Sequence, residues 1–174
     1  MRVIFIFVIF FVGVLTRFID HPPNFTPMLS IALLSGLYIK NKWGFLLPLA
    51  IVLFSNYFLE PGSMYVMIPI YISYFFIYLY GTYFSKNTFS DVFKSSFLGA
   101  VLFFIVTNFA VWINCIIFNS YFYSHDIAGL ISCYYNGLPF FRNTLVSTIG
   151  FSIYFYSCYK FVFNYDNLYQ SVKR

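Results

Sequence analysis

The residues able to do chemistry are few, and they fall in three places along the chain. Arg17 and Asp20 precede a loop, His21-Pro22-Pro23-Asn24-Phe25-Thr26-Pro27, that holds three prolines in seven residues. Asn108, Trp112 and Asn114 interrupt a long apolar run, and Arg142, Asn143 and Thr144 stand near the start of another. A guanidinium offers a planar fork of donors to a carboxylate or phosphate. Asparagine supplies paired donors and an acceptor that fix orientation, and tryptophan supplies an aromatic wall with one N–H. Together these groups are suited to holding a small polar or anionic molecule.

They are poorly suited to breaking bonds. His21, Asp20 and His125 are candidate acids or bases, but none has a matched second catalytic group beside it. The chain contains no GxxxxGK[ST] phosphate loop, no HExxH and no GxSxG, so it hydrolyses no ATP on its own. Cys115, Cys133 and Cys158 are odd in number and show neither CxxC nor His spacing, which reads as buried thiols. No metal or cofactor is expected, and the chain does not read as an enzyme. Each polar residue also has a plain structural reading. The asparagines can bond neighbouring helix backbones. Arg142 can pair with Asp126 or extend toward water, Arg17 can pair with Asp20, and His21 can be an ordered loop group. Asn24-Phe25-Thr26 matches a glycosylation pattern, discounted because it hugs the membrane and precedes Pro27.

The elements that would position these residues follow from composition. Of 174 residues, 61% are hydrophobic and 9% charged, where a soluble domain carries about a quarter charged residues. So short a chain cannot bury that much apolar surface internally, which points to lipid as the solvent. The expected architecture is all-α: a single integral membrane domain, 1–174, with six transmembrane helices at about 3–18, 26–39, 43–59, 64–84, 95–118 and 139–163. A piece at about 127–135, too short to span, is expected to be interfacial or re-entrant. Asn24 is expected to cap the second helix and Pro27 to sit in its first turn. Met1-Arg2 and the apolar run after it resemble a signal peptide, but no small-x-small cleavage site follows, so the run is read as the first helix.

Six spans put both termini on one side. Eight of the ten basic residues fall on that side and only Arg17 and Arg142 on the other, which makes the termini cytoplasmic by the positive-inside rule. The basic residues are scattered singly, which argues against nucleic acid. On this topology the proline-rich loop, the outer ends of the helices bearing Asn56, Asn108 and Asn114, and the Arg142-Asn143-Thr144 start all gather in the outer leaflet. Polar groups clustered in a membrane mark a site or a pathway. Arg17, His21, Asn24, Asn108, Trp112, Asn114, Arg142 and Asn143 are therefore the candidate substrate-binding set.

Three blocks carry a resemblance: Arg17-x-x-x-His21-Pro22-Pro23-Asn24-Phe25-Thr26-Pro27; Thr107-Asn108-Phe109-Ala110-Val111-Trp112; and Ala128-Gly129-Leu130 through Cys133-Tyr134 to Gly137-Leu138-Pro139-Phe140-Phe141-Arg142-Asn143-Thr144. They resemble an uncharacterised family of small bacterial membrane proteins, a domain of unknown function whose members are labelled as candidate transport proteins. The general plan is also similar to the substrate-binding S components of energy-coupling factor transporters, six-helix bundles with cytoplasmic termini and an outward pocket. That similarity implies a substrate-binding subunit for uptake of a small solute, anionic if Arg142 meets it, in the bacterial inner membrane. It also implies partners: membrane lipid, an ATPase and a membrane coupling subunit. The proline-rich loop would cap the pocket. The first helix lacks the small-residue stripe by which S components dock, since Gly13 is its one small residue before Thr16. A stand-alone channel or passive carrier is the alternative, and a membrane enzyme or a structural membrane protein the more distant ones.

Overall fold

Long apolar runs broken by proline, asparagine and short polar stretches form helices, because no other backbone arrangement satisfies its own hydrogen bonds within such a run. A computed structural model describes residues 2–39, 43–59, 63–83 and 88–172, the side chains of 2–4 and 163–172 excepted. The sequence also predicts a tight turn at Glu60-Pro61-Gly62-Ser63 and a helix stop at Lys40-Asn41-Lys42; the first three residues of that turn and the whole of that stop lie outside these residues. Among the described residues there are six α-helices and no strand: α1 Arg2–Phe18, α2 Met28–Leu34, α3 Leu46–Asn56, α4 Met64–Tyr83, α5 Phe89–Ile117 and α6 Ile127–Val172. A π-helical turn, Ser35–Ile39, prolongs α2. Two helices, α4 and α5, are long and apolar enough to cross a membrane. The first three are shorter.

Several boundaries differ from those read in the sequence, each for a local reason. Asn24 does not cap α2. It takes the left-handed conformation, φ 63°, inside the loop, and Pro27 occupies the capping position with no side-chain cap. The third helix starts at Leu46, which puts Pro48 in the first turn, where its missing N–H has no intrahelical acceptor to lose. The fifth starts at Phe89 because Thr88 caps it: its hydroxyl accepts from the Asp91 amide at 3.2 Å and bonds the Asp91 carboxylate. That Thr-x-x-Asp pattern is a capping-box signature.

The largest difference is α6. The expected interfacial piece at 127–135 and the sixth helix at 139–163 are one continuous helix of 46 residues running through Pro139. Asp126 caps it, with its carboxylate accepting from the Gly129 amide at 2.8 Å and from the Ser124 hydroxyl at 2.6 Å. Those two bonds hold the Asp126 carboxyl below the usual carboxylate range, the Ser124 hydroxyl contributing most. Proline removes one helical bond, and contacts to other elements hold the helix on both sides of the gap. Before it, Cys133 and Tyr134 bond the α5 carbonyls of Asn108 and Ile105 at 3.3 and 2.8 Å. After it, Asn143 bonds the proline-rich loop at Pro23.

The centre of the molecule is α2. Every residue from Met28 to Leu34 is buried, and the helix touches α1, α3, α4, α5 and α6. Two glycines let it approach α4 backbone to backbone. A Cβ added at Gly36 would lie 2.2 Å from the Tyr78 carbonyl oxygen, and one added at Gly81 would lie 2.2 Å from that of Leu33. On the other side, the buried Ser30 hydroxyl donates to the Thr148 carbonyl of α6 at 2.8 Å. Small residues and hydroxyls of this kind are how helices associate where lipid removes the hydrophobic drive. Gly13 of α1 also faces inward, against Ile51 and Ile31, so it serves internal packing.

Because the obstructing atoms are backbone oxygens of a neighbouring helix, a methyl group cannot be accommodated by rotating a side chain. Gly81→Ala should therefore destabilise the protein by about 1–3 kcal/mol, the usual penalty for overpacking. Gly150→Ala, at a position with open space around it, should be neutral or slightly stabilising. Thermal or denaturant unfolding in detergent would check the pair, and equal behaviour would contradict the close approach.

Candidate functional site

Two adjoining chambers lie between α4, α5, α6 and the proline-rich loop. The outer, about 250 Å³, is lined on α4 by Tyr65, Val66, Pro69 and Ile70 and on α5 by Phe103, Thr107, Asn108, Val111 and Asn114. From α6 it takes Cys133, Asn136, Gly137 and Phe140, and from the loop Asn24. The inner chamber, about 240 Å³, takes Arg17, His21, Asn24, Thr26, Met28, Leu29, Ile70, Tyr74, Phe103 and Thr144. Asn24, Ile70 and Phe103 line both and form the boundary. On α4 and α6 alike, the inner set lies about one helical turn further from the chain-entry ends at Met64 and Ile127. Of the loop, Asn24 lines both chambers, and His21 and Thr26 line the inner one.

Local chemistry explains how each polar group is held. Arg17, at the end of α1, donates from Nη2 to Asn56 Oδ1 of α3 at 2.7 Å, and its buried Nε has no partner. The expected pairing with Asp20 is replaced by this bond to a neutral amide. His21 donates from Nδ1 to the Pro22 carbonyl at 2.9 Å, so in the neutral ring Nε2 is left as an acceptor. Asn24 turns the loop in the left-handed region, and its carbonyl accepts from the buried Ser147 hydroxyl at 3.4 Å. Asn108 back-bonds through its amide to Phe104 O at 2.8 Å, leaving its Oδ1 beside Gly137, where a Cβ would come within 2.4 Å.

Asn114 has a specific task. Pro69 in α4 lacks the N–H that would normally bond the Tyr65 carbonyl, and Asn114 of α5 donates to that same carbonyl at 3.2 Å. One side chain thus satisfies an acceptor that a proline on another helix has freed.

Three of the candidate residues line neither chamber. Trp112 donates from Nε1 to the Ser124 carbonyl at 3.1 Å and so holds the loop before α6. Asn143 donates to the Pro23 carbonyl at 3.0 Å and pins the proline-rich loop to α6. Arg142 is exposed on α6, apart from the cleft and bonded to no Asp126, whose carboxylate serves Ser124 and Gly129. The cleft thus brings together Arg17, His21, Asn24, Asn108 and Asn114, and leaves Trp112, Arg142 and Asn143 outside.

Sequence reasoning passed over Asn136, Thr107, Phe103 and Tyr74. Thr107 and Phe103 follow from helical spacing, being seven and eleven positions before Asn114 on α5, and Tyr74 lies four after Ile70 on α4. Asn136 falls between the expected piece at 127–135 and the expected helix at 139–163, a gap that α6 spans. His125 bonds the Ser120 carbonyl at 3.3 Å; neither described histidine bonds a carboxylate.

The left-handed backbone at Asn24 makes a testable distinction. Asn24→Gly should fold as the native chain does, whereas Asn24→Val should lose about 1–2 kcal/mol, the penalty for a side chain in that region. Unfolding midpoints in detergent would separate the two; equal losses would mean the side-chain amide, not the backbone, governs the loop.

Comparison with known proteins places the chain in a family of unknown function, DUF6580, whose model matches residues 1–171. No curated protein and no solved structure shows a match.

Proposed function

We propose that this member of the DUF6580 family is a multi-pass protein of a bacterial cytoplasmic membrane that binds a small solute in the two-chamber cleft and presents it for uptake. The observation that carries the reading is the cleft itself: a hollow of mixed polar and apolar lining, closed at its inner end, inside a molecule whose outside is apolar.

Several features support the membrane setting. Only 28% of the most apolar window of α4 and 17% of that of α5 is buried, the reverse of a soluble core helix. Large apolar side chains such as Phe7, Phe11, Leu53, Phe76, Leu98, Ile105 and Val146 are exposed on several helices, far more than a surface in water tolerates. At about 1.5 Å per residue, α2 with its π turn and α3 are each shorter than the roughly 30 Å hydrocarbon layer. Buried on all sides, α2 needs no lipid contact, and a short helix at membrane depth is admissible there. Six passes with both termini in the cytoplasm remain the topology that the scattered lysines and arginines favour.

The inner half argues for a binding subunit over an open channel. Below the inner chamber the interior is filled by Ile31, Leu34, Ile77 and Phe155, all almost wholly buried. Beyond them Tyr38 stacks on Tyr159 with ring centres 3.7 Å apart, and Phe5 meets both edge-on. Release to the inner side then needs a rearrangement, for which an ATPase and a membrane coupling subunit are the partners proposed. The likeness to S components of energy-coupling factor transporters rests on this plan alone.

Two measurements separate the readings. Gentle purification of the tagged chain from its native membrane should bring a stoichiometric ATPase pair and a second membrane subunit. Liposomes holding the chain alone should show no glycerol or acetate flux above empty liposomes. Flux from the chain alone would replace this reading with a stand-alone channel or passive carrier.

A further inference from the structure

The two chambers differ in charge. Among the described residues that line them, Arg17 is the one permanent cation, and no carboxylate lines either. The guanidinium bonds a neutral amide, Asn56, through Nη2, and its Nε is buried without a partner. Arg17 is half-buried, and a buried donor of a charged group is costly to leave unpaired. Beside His21, Asn24, Thr26 and Thr144, the inner chamber has an apolar side: Met28, Leu29, Ile70, and the near-parallel rings of Tyr74 and Phe103, 11° apart in plane with centres separated by 6.4 Å.

We infer that the inner chamber is a subsite for an organic monocarboxylate with a compact apolar body, its carboxylate on Arg17 and its body between the Tyr74, Phe103 and Met28 side chains. The inference rests on the solute-binding reading and names the class of solute. A single uncompensated positive charge balances a monoanion, whereas a phosphate dianion would leave one negative charge without a counterion in the chamber. Asn24, at the boundary between the chambers, stands where the ligand would pass from the outer hollow into the inner one. The neutral outer lining, Asn108, Asn114, Asn136 and Thr107, carries no charge to hold an anion there and offers polar groups for orientation.

The test uses the full chain in phosphatidylcholine nanodiscs, titrated with benzoate and with benzamide, which share a ring and differ in charge. Benzoate should bind at least about ten-fold more tightly than benzamide, as a charge-assisted pair requires, and Arg17→Gln should erase the difference. If Arg17→Gln does not fold, Arg17→Lys keeps the charge without the fork and should weaken benzoate about ten-fold while leaving benzamide unchanged. Equal affinity for the two probes, or a difference that survives Arg17→Gln, overturns the subsite while leaving solute binding intact. Displacement of benzoate by inorganic phosphate would show a general oxyanion site, and displacement by added phosphatidylglycerol a lipid-headgroup site; each overturns the monocarboxylate assignment. Binding of neither probe overturns the subsite, and co-purification of the energy-coupling partners tests the broader reading independently.

Discussion

The structure depends on how closely α2 lies against α4. Leu33 O on Gly81 and Tyr78 O on Gly36 are contacts between backbones, with no side chain between them. That approach draws a short, wholly buried helix into the middle of the bundle, and the consequences follow outward. Because α2 is held at that depth, the loop leading into it is held too, and Pro22, Pro23 and Pro27 stiffen it. Asn143 and Ser147 fasten it to α6 through the Pro23 and Asn24 carbonyls. The loop then borders both chambers, and Asn24 meets Ile70 of α4 and Phe103 of α5 at their boundary. A cleft of this shape is a by-product of placing a half-length helix among longer ones.

Satisfaction of backbone polar groups is the second constraint, and it explains several residues first suspected of binding a ligand. Asn114 answers the Tyr65 carbonyl left open by Pro69, Trp112 fixes Ser124, and Asn143 fixes Pro23. The hydroxyls of Ser73, Ser96 and Thr107 each return to a carbonyl four residues back, a bond that lets a hydroxyl sit in an apolar surround. After these tasks are assigned, the groups left facing the cleft without a full set of partners are few. Arg17 is the foremost of them.

The all-helical fold was legible from apolar runs, and the importance of the proline-rich loop from its prolines and flanking charges. Helix ends were less legible. The Thr88-x-x-Asp91 cap was present in the sequence but was outweighed by the charges around it, so α5 was started six residues late. The sixth helix was expected to begin at Pro139, a residue suited to a first helical turn; here α5 and the loop hold the helix on both sides of it. Dividing α6 moved Asn136 off a helix and made Arg142 look like the first turn of one. Its true position, well inside a long helix, sends its side chain to the outside. That Asn114 bonds the Tyr65 carbonyl depends on Pro69 of another helix lying opposite. No local pattern in the chain records that pairing.

The central claim is a solute-sized hollow open to the outer side and closed to the inner. Its most direct test is thiol accessibility in a chain with Cys115, Cys133 and Cys158 replaced by alanine and a single cysteine introduced at Asn136. With a membrane-impermeant maleimide, this account predicts labelling in right-side-out vesicles and protection in inside-out ones. Labelling from the cytoplasmic side, or from both sides equally, would contradict it.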